Sequence, residues 1–144
     1  QSRKPERLLP DRGLRVRISP NGRWLAFVAR SSVQPPQIVV VPYPDVSRAR
    51  WPIGPAGTGL PRWSSDGREL FYIASQGIFS VRIGTGPSPI AGEPQLLVPS
   101  PVSFSWYDVA PGADRFLVAQ SDEPSHGPTP QIIVNWFEEL KAVP

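Results

Sequence analysis

The chain contains no cysteine and a single histidine, His126. Without thiols it can have no disulfide, no cysteine nucleophile and no thiolate metal site, though this says little about compartment. No apolar run approaches the length of a membrane-spanning helix, and the N-terminal residues do not read as a secretory leader. The first residue is Gln1 instead of Met, so a processed or recombinant product is expected. There is no Lys/Arg-rich run and no RNA-binding signature, and no nucleic-acid partner is expected.

Turn formers are abundant. Twenty prolines and twelve glycines in 144 residues interrupt the chain too often for long helices. Yet 40% of the residues are hydrophobic, which excludes a disordered Pro-rich linker and supplies a core for one domain. The net charge of +3 is unevenly spread: residues 1–50 hold ten Lys/Arg against three acids, and residues 51–144 hold five against nine. The arginines are scattered between turns, so they read as solvated surface or as attraction between unlike halves.

The turns repeat. "SPNGRWLAF" begins at Ser19, "SSDGRELFY" at Ser64, and a looser "APGADRFLV" at Ala110, a period of about 45 residues. Short strands at such a period are the mark of β-propeller blades. In the first copy Pro20 presets φ and Gly22 can take φ > 0, giving a three-residue hairpin loop with a glycine bulge. The second keeps Asp66-Gly67, and in the third Gly112 comes one place early, so its turn pattern is degraded. Apolar strands follow each turn (Trp24 to Ala29, Leu70 to Ala74, Phe116 to Ala119), with little alternation, as in sheets buried on both faces. Third strands are expected at Gln37 to Val41, Ile78 to Ile83 and Gln131 to Trp136, and fourth strands at Arg50 to Ile53 and Gln95 to Val98. Before each turn lies an inner strand carrying one polar residue at the matching place: Arg17, Arg62 and Asp108. Side by side on packed inner strands, Arg62 and Asp108 should form an ion pair. "KPERLLP" at the N-terminus aligns with "EPQLLVP" at Glu93 to Pro99, sharing Leu8/Leu97. The expected layout is therefore an outer strand at 4–10, blades at 14–54 and 58–99, a blade at 104–137 lacking its own outer strand, and a C-terminal cap at 136–144.

The stretch from Pro61 to Tyr72, "PRWSSDGRELFY", resembles the WD-like, TolB-type propeller repeat, with Ser65 where the family has proline. Ser19 to Phe27 matches its second half, and "WYDVAPGADRFLV" with "IIVNWFEELKAVP" resembles the last blade of propellers at the C-termini of bacterial serine/threonine kinases. The resemblance implies an all-β fold, half of a six-bladed ring, with the N-terminal outer strand (Leu8, Leu9) completing a last blade. It also implies an extracytoplasmic location and a non-catalytic interaction or scaffold role with a protein or peptide at one ring face. Three blades cannot close, so a homodimer formed by outer-strand exchange is expected. The competing readings are a propeller hydrolase or lactonase with an axial metal, and a fragment of a larger propeller or kinase-linked sensor.

Catalytic candidates are few. Ser121, Asp122 and His126 share a polar Pro/Gly loop with no rigid nucleophile turn, which reads as solvated loop. Arg17 and Arg62 would repel an axial cation, and Asp108 alone is a poor ligand set, so neither metal nor cofactor is expected. Trp24, Trp63 and Trp136 lie in repeat strands and read as interblade packing, while Trp51 and Trp106 are less constrained. Gly22, Gly67 and Trp63 are structural candidates, with Gly67 expected in a left-handed turn conformation.

Overall fold

Turn chemistry divides the chain at short intervals, and the computed structural model, which describes residues 4, 7–9, 12–84, 86–100, 104–120 and 129–134, places eleven strands among them. The first sheet is an antiparallel meander of β1 (Arg12–Ile18), β2 (Trp24–Arg30), β3 (Gln37–Pro42) and β4 (Trp51–Ile53). The second repeats it with β5 (Gly59–Trp63), β6 (Glu69–Ala74), β7 (Gly77–Arg82) and β8 (Gln95–Pro99). The third has β9 (Phe104–Val109), β10 (Arg115–Gln120) and β11 (Thr129–Val134). The chain is all-β, built of propeller blades. Among the described residues no helix is long and apolar enough to cross a membrane. Trp136, His126 and the cap expected at 136–144 lie outside the described residues.

The weak alternation of the second strands has its explanation in β2. Trp24, Ala26 and Val28 join a cluster with Leu70, Tyr72 and Val81 of the second blade. Leu25 and Phe27 point the other way, into a cluster with Val39 and Val41. Both sides of the strand are dry, so it is apolar throughout. A third cluster joins blades 2 and 3, where Phe71 meets Phe116 edge to face with ring centroids 5.4 Å apart. Such a geometry sets the electropositive rim of one ring against the face of the other.

The turns differ in one respect from the three-residue loop expected. The amide of Ser19 donates to the Trp24 carbonyl at 2.9 Å, which leaves four residues, 20–23, in the loop. The return bond is made by a side chain: the Trp24 amide donates to Ser19 Oγ at 3.0 Å. That hydroxyl donates in turn to Asn21 Oδ1 at 2.8 Å. Blade 2 uses the same bracket, with Glu69 N on Ser64 Oγ at 2.9 Å and Ser64 Oγ on Asp66 Oδ1 at 2.7 Å. A serine at the head of the turn and Asn or Asp two places on are the parts this bracket requires.

The third turn keeps its geometry despite its sequence. Ala113 donates to the Ala110 carbonyl at 2.8 Å, as Gly22 does to Ser19 and Gly67 to Ser64. Ala113 sits at φ 56°, beside Gly22 at 69° and Gly67 at 70°. Backbone shape has outlasted the residue that favours it.

The described N-terminal residues lie outside the strands of the single chain. Lys4 and Arg7, Leu8 and Leu9 carry no strand pairing in the single chain. Leu9 packs against the first blade's outward face, together with Tyr43 and Val46. Leu25, Phe27, Val39 and Val41 on that face are buried. The uncovered part is confined to the inner strand, with Val16 and Ile18 exposed. At the other end, Trp106 and Leu117 are exposed.

Candidate functional site

The inner strands β1, β5 and β9 present their polar residues in a row. Arg62 Nε stands 3.4 Å from Asp108 Oδ1, the arginine side chain 15% exposed and the aspartate 55%. Arg17, one blade earlier, has no carboxylate beside it among the described residues; its guanidinium reaches only its neighbour's carbonyl, Val16 O, at 3.3 Å. Trp63 joins the first two inner strands, its indole N–H donating to the Arg17 carbonyl at 3.1 Å. The row Arg17, Arg62, Asp108 thus carries, among the described residues, an arginine with no ion pair at its first-blade end and a half-exposed carboxylate at its last-blade end.

Beneath this row lies a feature the sequence reading did not single out. Tyr107 is fully buried, and its hydroxyl has no hydrogen-bond partner among the described residues. Burial pushes its titration well above the usual tyrosine range, while Arg62 pulls weakly the other way. An unmade bond on a buried hydroxyl costs about 1–3 kcal/mol. No sequence signal marks it, because tyrosine at that place reads as an ordinary core residue.

At the turn end of the strands, a groove of about 690 Å³ runs between the second and third turns, lined by Ser64, Asp66, Arg68, Glu69, Arg82 and Ala113 among others. Hydrogen bonds from the Ser64 hydroxyl and then the Arg68 amide hold the Asp66 carboxyl below its ordinary value. Desolvation raises Glu69 above its own, with Arg82 opposing. The turns are close neighbours: a Cβ on Gly67 would lie 3.4 Å from Pro20 Cδ, and the Ser65 hydroxyl donates to the Pro111 carbonyl. Charges of both signs neutralise one another here, and the bonds described are the ones that shape the turns.

Of the remaining sequence candidates, Leu8 is exposed and Leu9 half-buried. Trp24 is buried and meets half-buried Trp51 edge to face at 5.6 Å, while Trp106 is exposed. Among the described residues no three His, Cys, Asp or Glu side chains cluster in a way that could hold a metal ion.

No family model matches the chain, and no curated protein matches it either. Solved structures do. TolB from Acinetobacter baumannii superimposes with a TM-score of 0.63 at 15% identity, covering 87% of this chain. A putative 6-phosphogluconolactonase from Bacteroides uniformis gives 0.53 at 17%, covering 86%. The chain spans 30% of the first structure's length and 41% of the second's. Three stacked antiparallel blades, a repeated serine-bracketed turn and these superpositions together establish a TolB-type propeller fold.

Proposed function

We propose that the chain is a non-catalytic interaction module that closes with a second copy into a six-bladed ring. The observation that carries this is the exposure of apolar residues at both ends, with unlike charges beside them. The first blade offers Val16, Ile18 and Arg17, which has no ion pair among the described residues; the last offers Trp106, Leu117 and the half-exposed Asp108. Blade 3 of one copy against blade 1 of the other, twice over, covers both ends and sets each Asp108 beside a partner Arg17. Closure replaces Leu9 on the first face and frees residues 4–10 to pair with the partner's third blade, which protects its edge.

Multi-angle light scattering on the 144-residue chain should give twice 15.8 kDa. A monomer at all concentrations overturns the ring, and an equally stable dimer after deletion of residues 1–10 overturns the strand exchange. The non-catalytic reading is tested by calcium and EDTA. Neither should move the melting temperature, and a shift of several degrees would support an axial metal site instead.

A second reading is favoured by the chain spanning well under half of each solved structure it resembles. In that case further blades of the same polypeptide cover the two ends. Arg17→Glu separates the readings, because it should weaken the two-chain particle, while a dimer indifferent to it would be adhesion of exposed faces.

A further inference from the structure

At the end of the strands away from the turns, all three blades converge on a cavity of about 410 Å³. Leu14, Val28, Leu60 and Ile73 give it an aliphatic wall, Ser105 reaches it from the third blade, and Arg15, Arg30 and Thr58 are among the polar residues that line it. Among the described residues no carboxylate lines it. Neither arginine has an ion-pair partner among the described residues. A size of this order is typical of a small-ligand site, and an aliphatic wall with a few convergent polar groups is its usual composition.

The backbone supplies a second, independent observation. In both β1 and β5 the register slips by one residue, between Leu14 and Arg17 and between Gly59 and Arg62. The bulged residue in each is left-handed without being glycine: Arg15 and Leu60 both stand at φ 56°. Leu60 is buried, and its contacts with the cluster around Phe71 and Phe116 offset that strain. Arg15 is exposed, and among the described residues its side chain has no ion pair or hydrogen bond that would offset the strain. Left-handed non-glycine residues cluster at ligand clamps and active sites, which makes Arg15 a candidate to hold an external partner. Bulges are also a common device for aiming a side chain into a site.

We infer that this cavity binds a small amphiphilic oxyanion, its head at Arg15 and Arg30 and its aliphatic chain along Leu14, Val28, Leu60 and Ile73. A guanidinium fork suits a carboxylate and a phosphate monoester alike, and the head is what the experiment decides. The inference does not depend on ring closure, because every lining residue belongs to one chain.

The test is isothermal titration of the full 144-residue chain with four probes: octanoate, octyl phosphate, 1-octanol and inorganic phosphate. One of the two octyl oxyanions should bind about tenfold or more tighter than both octanol and inorganic phosphate, and the tighter one names the head. Arg15→Gly should lower that affinity about tenfold while raising the melting temperature by about 2 °C, since glycine suits the bulge better. Arg30→Gln should lower affinity without the thermal gain. Octanol binding as tightly as the oxyanions, no binding of either oxyanion, or full affinity in Arg15→Gly would each overturn the inference.

Discussion

Gly67 and Ala113 occupy equivalent places in successive turns, which allows the strain of a left-handed residue to be measured twice in one molecule. Gly67→Ala introduces a Cβ at φ 70°. The methyl meets nothing closer than Pro20 Cδ at 3.4 Å, so sterics with neighbours are negligible and the backbone conformation sets the cost. A left-handed L-residue costs about 1–2 kcal/mol, and the loss of glycine's freedom in the unfolded chain returns about 0.4–1 kcal/mol. The net expectation is a loss of about 0.5–1 kcal/mol. Val at the same place should cost about 2 kcal/mol, because a β-branched side chain tolerates φ > 0 least. Ala113→Val should cost less than Gly67→Val, because Ala113 at φ 56° already bears the first part of that strain. Ala113→Gly is not a simple mirror image. It relieves strain but gives up a half-buried methyl beside Phe116, worth about 0.4 kcal/mol at half burial. It should therefore fall close to neutral. Urea denaturation at one fixed protein concentration reads these differences as midpoint shifts at constant slope. A Gly67→Ala midpoint equal to the parent's, or an Ala113→Gly loss as large as that of Gly67→Ala, would refute the turn assignment.

Three further expectations concern the inner strands and the turns. A double-mutant cycle on Arg62→Ala and Asp108→Ala should show coupling of about 0.5–1 kcal/mol, modest because the carboxylate is half in water; additivity would mean the contact contributes nothing. Tyr107→Phe removes a buried hydroxyl that has no partner among the described residues, so thermal unfolding should show it as stable as the parent or more so, and a clear loss would reveal an unseen bond. Asp66 titrates below its ordinary 3.8, so the stability it contributes is fully present above that value and is lost as pH falls through the lower folded-state pKa; acid unfolding of Asp66→Asn should lack that portion of the slope.

How much of this was legible in the sequence depends on where the determining interaction lies. The blades are legible because each is written locally: Pro20, Asn21 and Gly22, then Asp66 and Gly67, demand turns, and apolar runs between them demand strands. The Arg62–Asp108 contact is legible because equivalent positions on adjacent repeats must be neighbours. Ala113 conceals its conformation, since alanine gives no sign of φ > 0 and only the neighbouring blade's glycine points to it. The bulges at Arg15 and Leu60 conceal theirs in the same way, although their spacing of 45 residues matches the repeat. Leu9 is the instructive difference. Its resemblance to the Glu93 to Pro99 segment describes what the residues could pair with, while its place is decided by the apolar face nearest to hand, Leu25 and Phe27. Local pattern cannot report a choice between two docking sites.

Two side-chain hydrogen bonds that cross between blades begin on the middle blade: Trp63 donates back to Arg17 and Ser65 donates forward to Pro111. Each spans 46 residues, one repeat. The assembly is therefore a short one-dimensional lattice, in which each unit is coupled only to its nearest neighbours and the central one is coupled twice. Cooperative opening in such a lattice starts from the ends, where only one coupling must break. Amide exchange should follow that order, with the protons of β6 the last to be replaced by deuterium.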